Sequence, residues 1–211
     1  MIGDSWTHKI ARFFVLPLVD SSITPNHITT IRLITGLIAC SAFAVEMNLL
    51  GGILWLISTF LDRADGELAR ISGKTSKWGH KFDYYSDTFI TALFFIAIGV
   101  NLRDSLPDYW SIFMGVFAAI GVIFTEIYAE IIDQKKKNAN EKAYPGIAGF
   151  DFDDILYLFA PIVWLNWHLP FLIGASVGAP AFAIFTWYSC LLYTSDAADE
   201  GLGVDLGGRR I

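Results

Sequence analysis

Apolar residues gather in six runs along this 211-residue chain, separated by short polar stretches. The runs extend roughly from His27 to Val45, Leu49 to Leu61, Phe82 to Leu102, Tyr109 to Ile132, Ile155 to Trp167 and Leu169 to Leu192. A helix needs about 20 apolar residues to cross the hydrocarbon core of a bilayer, and four of these runs approach that length. The second and fifth are shorter, but polar extensions at 62–70 and 151–154 would carry their helices past the membrane surface. Ahead of the first run, Trp6, Ile10, Phe13, Phe14 and Pro17 alternate with His8, Lys9, Arg12 and Asp20 at roughly helical spacing. That pattern predicts a helix over residues 1–20 lying in the membrane interface. The expected fold is therefore all-α: a six-transmembrane-helix bundle with an N-terminal interfacial amphipathic helix, forming one membrane domain over residues 1–189.

Composition agrees with an integral, multi-pass membrane protein: 54% of residues are hydrophobic and 17% charged. Met1 to Asp20 lacks a clean apolar core followed by a small-residue cleavage site, so no cleavable signal peptide is expected. Cys40 and Cys190 sit inside apolar runs without CxxC spacing, which argues for neither a disulfide nor a metal site. Lys9, Arg12, Arg32, Arg63, Arg70, Lys74, Lys77, Lys81, Lys135, Lys136, Lys137 and Lys142 fall on one side of the predicted bundle, and only Arg103 on the other. By the positive-inside rule the first side faces the cytoplasm. The formal net charge of -6 thus hides a basic face suited to anionic membrane lipid rather than to nucleic acid. After WYSCLLYTS the chain turns polar and Gly-rich and loses its helical periodicity. Residues 190–211 are expected to be either a disordered tail or a non-native extension, since CLLYTSDAADE and VDLGGRRI back-translate onto DNA-library adapter ends.

The stretch LDRADGELARISGKTSKWGHKFDYYSD, Leu61 to Asp87, breaks the apolar pattern most sharply. On a continued second helix, Asp62, Asp65, Gly66 and Ala69 fall at i, i+3, i+4 and i+7, one face. On a third helix beginning near Gly79, that glycine, Asp83 and Asp87 form a second stripe. Facing each other, the stripes gather four carboxylates at the membrane boundary, where they require cations or protons. Hard divalent ions suit an all-oxygen donor set, so Mg²⁺ or Mn²⁺ fits better than Zn²⁺. Arg70, one turn after Gly66, adds a planar fork suited to phosphate. Metals beside an arginine point to phosphoryl-group transfer. A divalent-cation channel or transporter using the same carboxylates is the alternative, but the far halves of the predicted helices are almost purely apolar.

The same stretch resembles the signature of the CDP-alcohol phosphatidyltransferase family, D-x2-D-G-x2-A-R-x8-G-x3-D-x3-D. Asp62, Asp65, Gly66, Ala69, Arg70, Gly79, Asp83 and Asp87 match it in identity and spacing. The resemblance implies transfer of the phosphate-bearing group of a CDP-alcohol, most simply CDP-diacylglycerol, to an acceptor alcohol with release of CMP. It implies Asp62, Asp65 and Asp83 as ligands to a pair of divalent ions. Asp87 would be both general base and a contact to one ion. Gly66, Ala69, Arg70 and Gly79 would line the nucleotide, with Ser76 as a nearby hydroxyl. Upstream, SITPNHITTIRLITG resembles the family's entry to its first membrane helix, which implies nucleotide contacts for Thr24, Pro25, Asn26 and His27. A plain helix start, with Thr24 as cap and Pro25 in the first turn, is the competing account. The family also implies a homodimer.

The acceptor is less legible. The run QKKKNANEK, with lysines from Lys135 to Lys142, suits a topology signal at the lipid surface. Asp151, Asp153 and Asp154 suit the N-terminal end of the fifth helix, or binding of hydroxyls or a cationic acceptor. Glu126 and Glu130, one turn apart, are candidates to line the same cavity, while His27 and His80 read as interfacial histidines.

Overall fold

A computed structural model describes residues 6–135 and 151–206, with side chains in the last helix described as far as Leu192. The described residues form helices joined by short turns, with no strand among them: α1 (Trp6–Val15), α2 (Pro25–Ala44), α3 (Asn48–Ser72), α4 (Lys77–Asn101), α5 (Trp110–Lys135), α6 (Phe159–Trp164) and α7 (His168–Leu206). Short 3-10 segments precede α5, at Pro107–Tyr109, and α6, at Phe152–Leu158. The lysines after Lys135, including Lys142, lie outside the described residues.

Three stretches, Pro25–Ala44, Pro107–Gln134 and His168–Leu192, are long and apolar enough to cross a membrane. Helices α3 and α4 are 25 residues each, but their adjoining ends carry the signature charges. As the spacing predicts, α3 continues through the polar stretch to Ser72, where Gly73 at φ 67 supplies the left-handed turn that ends it. Ser76 then starts α4 by accepting a hydrogen bond from the Gly79 N–H at 2.9 Å.

The fifth run departs from expectation. It is not one α-helix over Ile155 to Trp167; a seven-residue 3-10 segment leads into a six-residue α6, and Asn166 at φ 58 turns the chain toward α7. Seven residues rising ~2.0 Å and six rising ~1.5 Å still reach roughly 23 Å, so the tighter helix compensates for the short sequence. Its position shows this reach. Trp55 Nε1 donates to Leu156 O at 2.9 Å, and Trp164 Nε1 donates to Asn48 O at 3.1 Å, so the segment runs antiparallel along the apolar half of α3. The backbone of α7 continues as helix to Leu206, past residue 190, where either a disordered tail or a non-native extension was expected.

An aromatic cluster fills the half of the bundle away from the signature. Phe94 lies at its centre, with ring centroids 4.6 Å from Trp55, 4.7 Å from Phe159 and 5.5 Å from Phe43. Phe171 of α7 closes it, 5.2 Å from Phe159. Buried aromatic pairs at these separations add to the burial of their area. Small residues let the backbones come close: a Cβ at Gly115 would stand 2.5 Å from Phe95 O, and one at Gly99 2.6 Å from Ser111 O. These contacts seat α4 against α5.

Helix α1 packs on α3 with an unusual distribution. Thr7, His8, Ala11 and Val15 are buried, while Trp6, Ile10, Phe13 and Phe14 are exposed. Its inward face is thus partly polar and its outward face aromatic.

Candidate active site

The site forms where the C-terminal half of α3 meets the N-terminal half of α4, because the i, i+3 and i, i+4 spacings turn both stripes of aspartates inward. Asp62, Asp65 and Asp83 each offer a carboxylate oxygen within 4.8 Å of the others. A set of three carboxylates at that separation fits a hard divalent cation in both donor chemistry and spacing. Asp65 is the most deeply buried of them. Burial first, then repulsion from Asp83 and Asp62, pushes its carboxyl above the usual range, against a smaller opposing effect of the hydrogen bond from Thr29. That bond, Thr29 Oγ1 to Asp65 Oδ2, is 2.6 Å.

The residue that joins the two stripes is one that sequence reasoning missed as a site residue. Arg32, 3% exposed on α2, places Nη1 3.0 Å from Asp62 Oδ1 and 3.3 Å from Asp83 Oδ1, and Nη2 2.5 Å from Asp87 Oδ1. Its signal was available in the pattern: an arginine one turn inside an apolar run is costly unless carboxylates meet it. Ser58 Oγ donates to Arg32 O at 3.0 Å, fixing the α2–α3 register at this level.

Two cavities flank the carboxylates. One, of about 250 Å³, is lined by Pro25, Asn26, Gly66, Ala69, Arg70, Ser76 and Gly79 together with Asp65 and Asp83. A Cβ at Gly79 would stand 2.9 Å from Asn26 Oδ1, so the glycine admits the asparagine from α2. At Gly66 the closest atom to an added Cβ would be the Arg70 guanidinium at 3.7 Å. Helix packing therefore does not require that glycine, and its missing side chain leaves cavity space. Thr24 and His27 are not among the residues lining this cavity. Instead they build the helix start, the Thr24 N–H donating to His27 Nδ1 at 3.3 Å with Pro25 in the first turn. Thr24 and His27 thus build the helix start, while Pro25 and Asn26 both begin α2 and line the cavity.

The second cavity, about 240 Å³, shares Gly66, Arg70, His80 and Asp83 with the first and adds His8, Asp62, Arg63, Tyr84, Asp87, Glu126 and Asp153. Asp87 and Glu126 thus face the same space. Glu130 instead pairs with His80, 3.3 Å from its Nε2, which brings that histidine to the cavity rim rather than leaving it a plain interfacial residue.

Beside this cavity lies a second set of charges. Arg63 of α3 sets Nη2 3.2 Å from Asp154 Oδ1, and Nη1 3.3 Å from Asp153 Oδ2 and 3.7 Å from Asp151 Oδ2. Thr7 Oγ1 donates to Asp154 Oδ1 at 2.8 Å, and the Asp151 N–H donates to Asp154 Oδ2 at 2.9 Å. The helix-end role expected of the three aspartates is thus only part of theirs, since they also neutralise a buried arginine.

A family model for CDP-alcohol phosphatidyltransferases matches residues 22–194. The chain belongs to that family. It is 34% identical over 117 residues to an archaetidylinositol phosphate synthase of Pyrococcus horikoshii, a match covering 54% of this chain and 59% of that protein. It is 28% identical over 159 residues to a bifunctional IPC transferase and DIPP synthase of Aquifex aeolicus, covering 72% of this chain but 35% of the relative. The fold is similar to the crystal structure of the Mycobacterium tuberculosis phosphatidylinositol phosphate synthase with CDP-DAG bound. The TM-score is 0.58 at 16% identity, over 90% of this chain and 92% of that one.

Proposed function

We propose that this chain transfers the phosphatidyl group of CDP-diacylglycerol to an acceptor alcohol and releases CMP. The observation that carries the reading is the convergence of Asp62, Asp65 and Asp83 between two cavities that share Arg70. The cavity bounded by Pro25, Asn26, Gly66, Ala69, Ser76 and Gly79 takes the nucleotide, and the one bounded by Asp87 and Glu126 takes the acceptor. The three aspartates hold divalent ions, a pair of Mg²⁺ or Mn²⁺, which when bound neutralise the diphosphate and the departing CMP. Asp87, held at one oxygen by Arg32, takes the acceptor's hydroxyl proton at the other. The acceptor oxygen then bonds to phosphorus as the bond to CMP breaks. Arg70 donates to the phosphates.

The nucleotide and acceptor meet at the cytoplasmic face of a multi-pass bundle in which α2, α3, α4, α5, α7 and the segment Phe152–Trp164 supply six crossings. Outside that bundle α1 rests in the interface on Trp6, Ile10, Phe13 and Phe14. A relative named as an archaetidylinositol phosphate synthase makes a polyol or its phosphate the acceptor class to test first. The aromatic cluster around Phe94 occupies the opposite half of the bundle, which weighs against a cation path. The test is CMP release from CDP-diacylglycerol by the purified chain in Mg²⁺, with inositol, inositol phosphate and glycerol phosphate offered in turn. Metal-dependent release with one acceptor is the expected result; no release with any CDP-alcohol or acceptor defeats the reading.

A further inference from the structure

Glu67 lies inside the signature at a position the family pattern leaves open, yet it is 1% exposed and carries three cationic or polar partners. Its Oε1 accepts from Arg70 Nη2 at 2.6 Å and lies 2.9 Å from His8 Nδ1. Its Oε2 accepts from Arg12 Nε at 3.0 Å. His8 itself lines the acceptor cavity, and its Nε2 lies 2.8 Å from Asp151 Oδ2.

We infer that Glu67 and His8 are positioning residues for Arg70, and that α1 acts through them to set affinity for the CDP-alcohol donor. The inference rests on the transferase reading above. Its physical basis is the state of Arg70. That side chain is 55% exposed and lines both cavities, a setting in which an arginine samples many rotamers. Here Nη2 is tied to Glu67, and the planar fork fixes Nε and Nη1 relative to it. A donor whose diphosphate meets a prearranged guanidinium loses less side-chain entropy on binding. Glu67 is held in its turn by Arg12 and His8, both from α1. Because the outward face of α1 is aromatic, the helix that rests on lipid is the same helix that steadies the phosphate-binding arginine.

A merely structural Glu67 and a positioning Glu67 differ in one measurable way: only the second acts through Arg70. The experiment is a double-mutant cycle on the dissociation constant for CDP-diacylglycerol, measured in Mg²⁺ with the full chain, using Glu67→Gln, Arg70→Ala and the double variant. Glu67→Gln is expected to weaken binding ~10-fold in the wild-type background and less than ~2-fold in the Arg70→Ala background. The His8→Gln cycle with Arg70→Ala supplies the same comparison if Glu67→Gln fails to fold, with an expected ~3-fold loss that again disappears. Equal factors in both backgrounds, or no weakening in the wild-type background, overturns the inference. Wild-type protein that binds no CDP-diacylglycerol fails the transferase reading itself, before any variant is compared.

Discussion

Two buried arginines of this protein each face three aspartates, and the two clusters do opposite things. Arg32 meets Asp62, Asp83 and Asp87, and Arg63 meets Asp151, Asp153 and Asp154. In the Arg63 cluster Thr7 and the Asp151 N–H bind Asp154, which is 6% exposed, His8 meets Asp151, and Asp153 stands 51% exposed at the cavity. In the Arg32 cluster a fourth carboxylate, Asp65, stands nearby, and Asp83 and Asp87 remain 40% and 33% exposed toward the cavities. The first arrangement is an ion-pair network that ties α1, α3 and the Phe152–Leu158 segment together. In the second, four carboxylates stand around one arginine and three of them converge within 4.8 Å, a concentration of charge that suits a divalent ion. Asp62 and Arg63 are neighbours in sequence, yet the helix turns them into separate clusters.

The comparison can be broken most forcefully at Asp87. Asp87→Asn is expected to lower kcat on the order of 10³-fold while CDP-diacylglycerol binding is retained, read by CMP release and by direct binding. Asp62→Asn or Asp83→Asn should weaken metal-dependent binding as well; equal binding loss in all three variants would erase the distinction between base and ligands. Next in size is the pair of arginine variants. Arg32→Met and Arg63→Met each strand buried carboxylates and should cost ~3 kcal/mol, seen in thermal unfolding in detergent. Mg²⁺ should restore part of the loss for Arg32→Met, where divalent ions can replace the missing charge, and none for Arg63→Met. Recovery in both would make the clusters equivalent.

Chelation sharpens the same contrast on the wild-type chain. EDTA should abolish CMP release and lower the unfolding temperature, and both should return with Mg²⁺ or Mn²⁺. In the Arg63→Met variant the metal concentration giving half-maximal activity should remain within about 3-fold of wild type, because none of the aspartates proposed to hold the ions belongs to that cluster. The smallest effect is expected at Thr7→Val, which removes one hydrogen bond to Asp154 at ~1 kcal/mol and leaves metal dependence unchanged. A shifted metal requirement in Thr7→Val would show that the two clusters communicate.

The helices and the faces they present were largely legible before any coordinates. Asp62, Asp65 and Gly66 share a face because 3.6 residues make a turn, and Gly79, Asp83 and Asp87 follow the same rule. The caps were not read from the sequence: Ser76, expected only as a hydroxyl near the nucleotide, caps α4, and Gly73 ends α3. Thr24 and His27 show the limit of that approach, since a segment resembling a nucleotide contact and one starting a helix have the same residues. The fifth run shows another limit. Its apolar length predicted an α-helix, but contacts from Trp55 and Trp164 accompany a 3-10 stretch that matches the reach of α3.

Periodicity, charge and spacing within a helix therefore carried the fold class, the eight signature positions and the chemistry of their oxygen ligands, because those follow from neighbours along the chain. The partners of the buried cations emerged only in three dimensions. Arg32 lies 30 to 55 positions from the aspartates it joins, Arg63 about 90 from Asp153 and Asp154, and His8 143 from Asp151. Each pairing depends on how helices cross and how deeply they seat, and no local pattern encodes a contact between side chains that packing alone brings together.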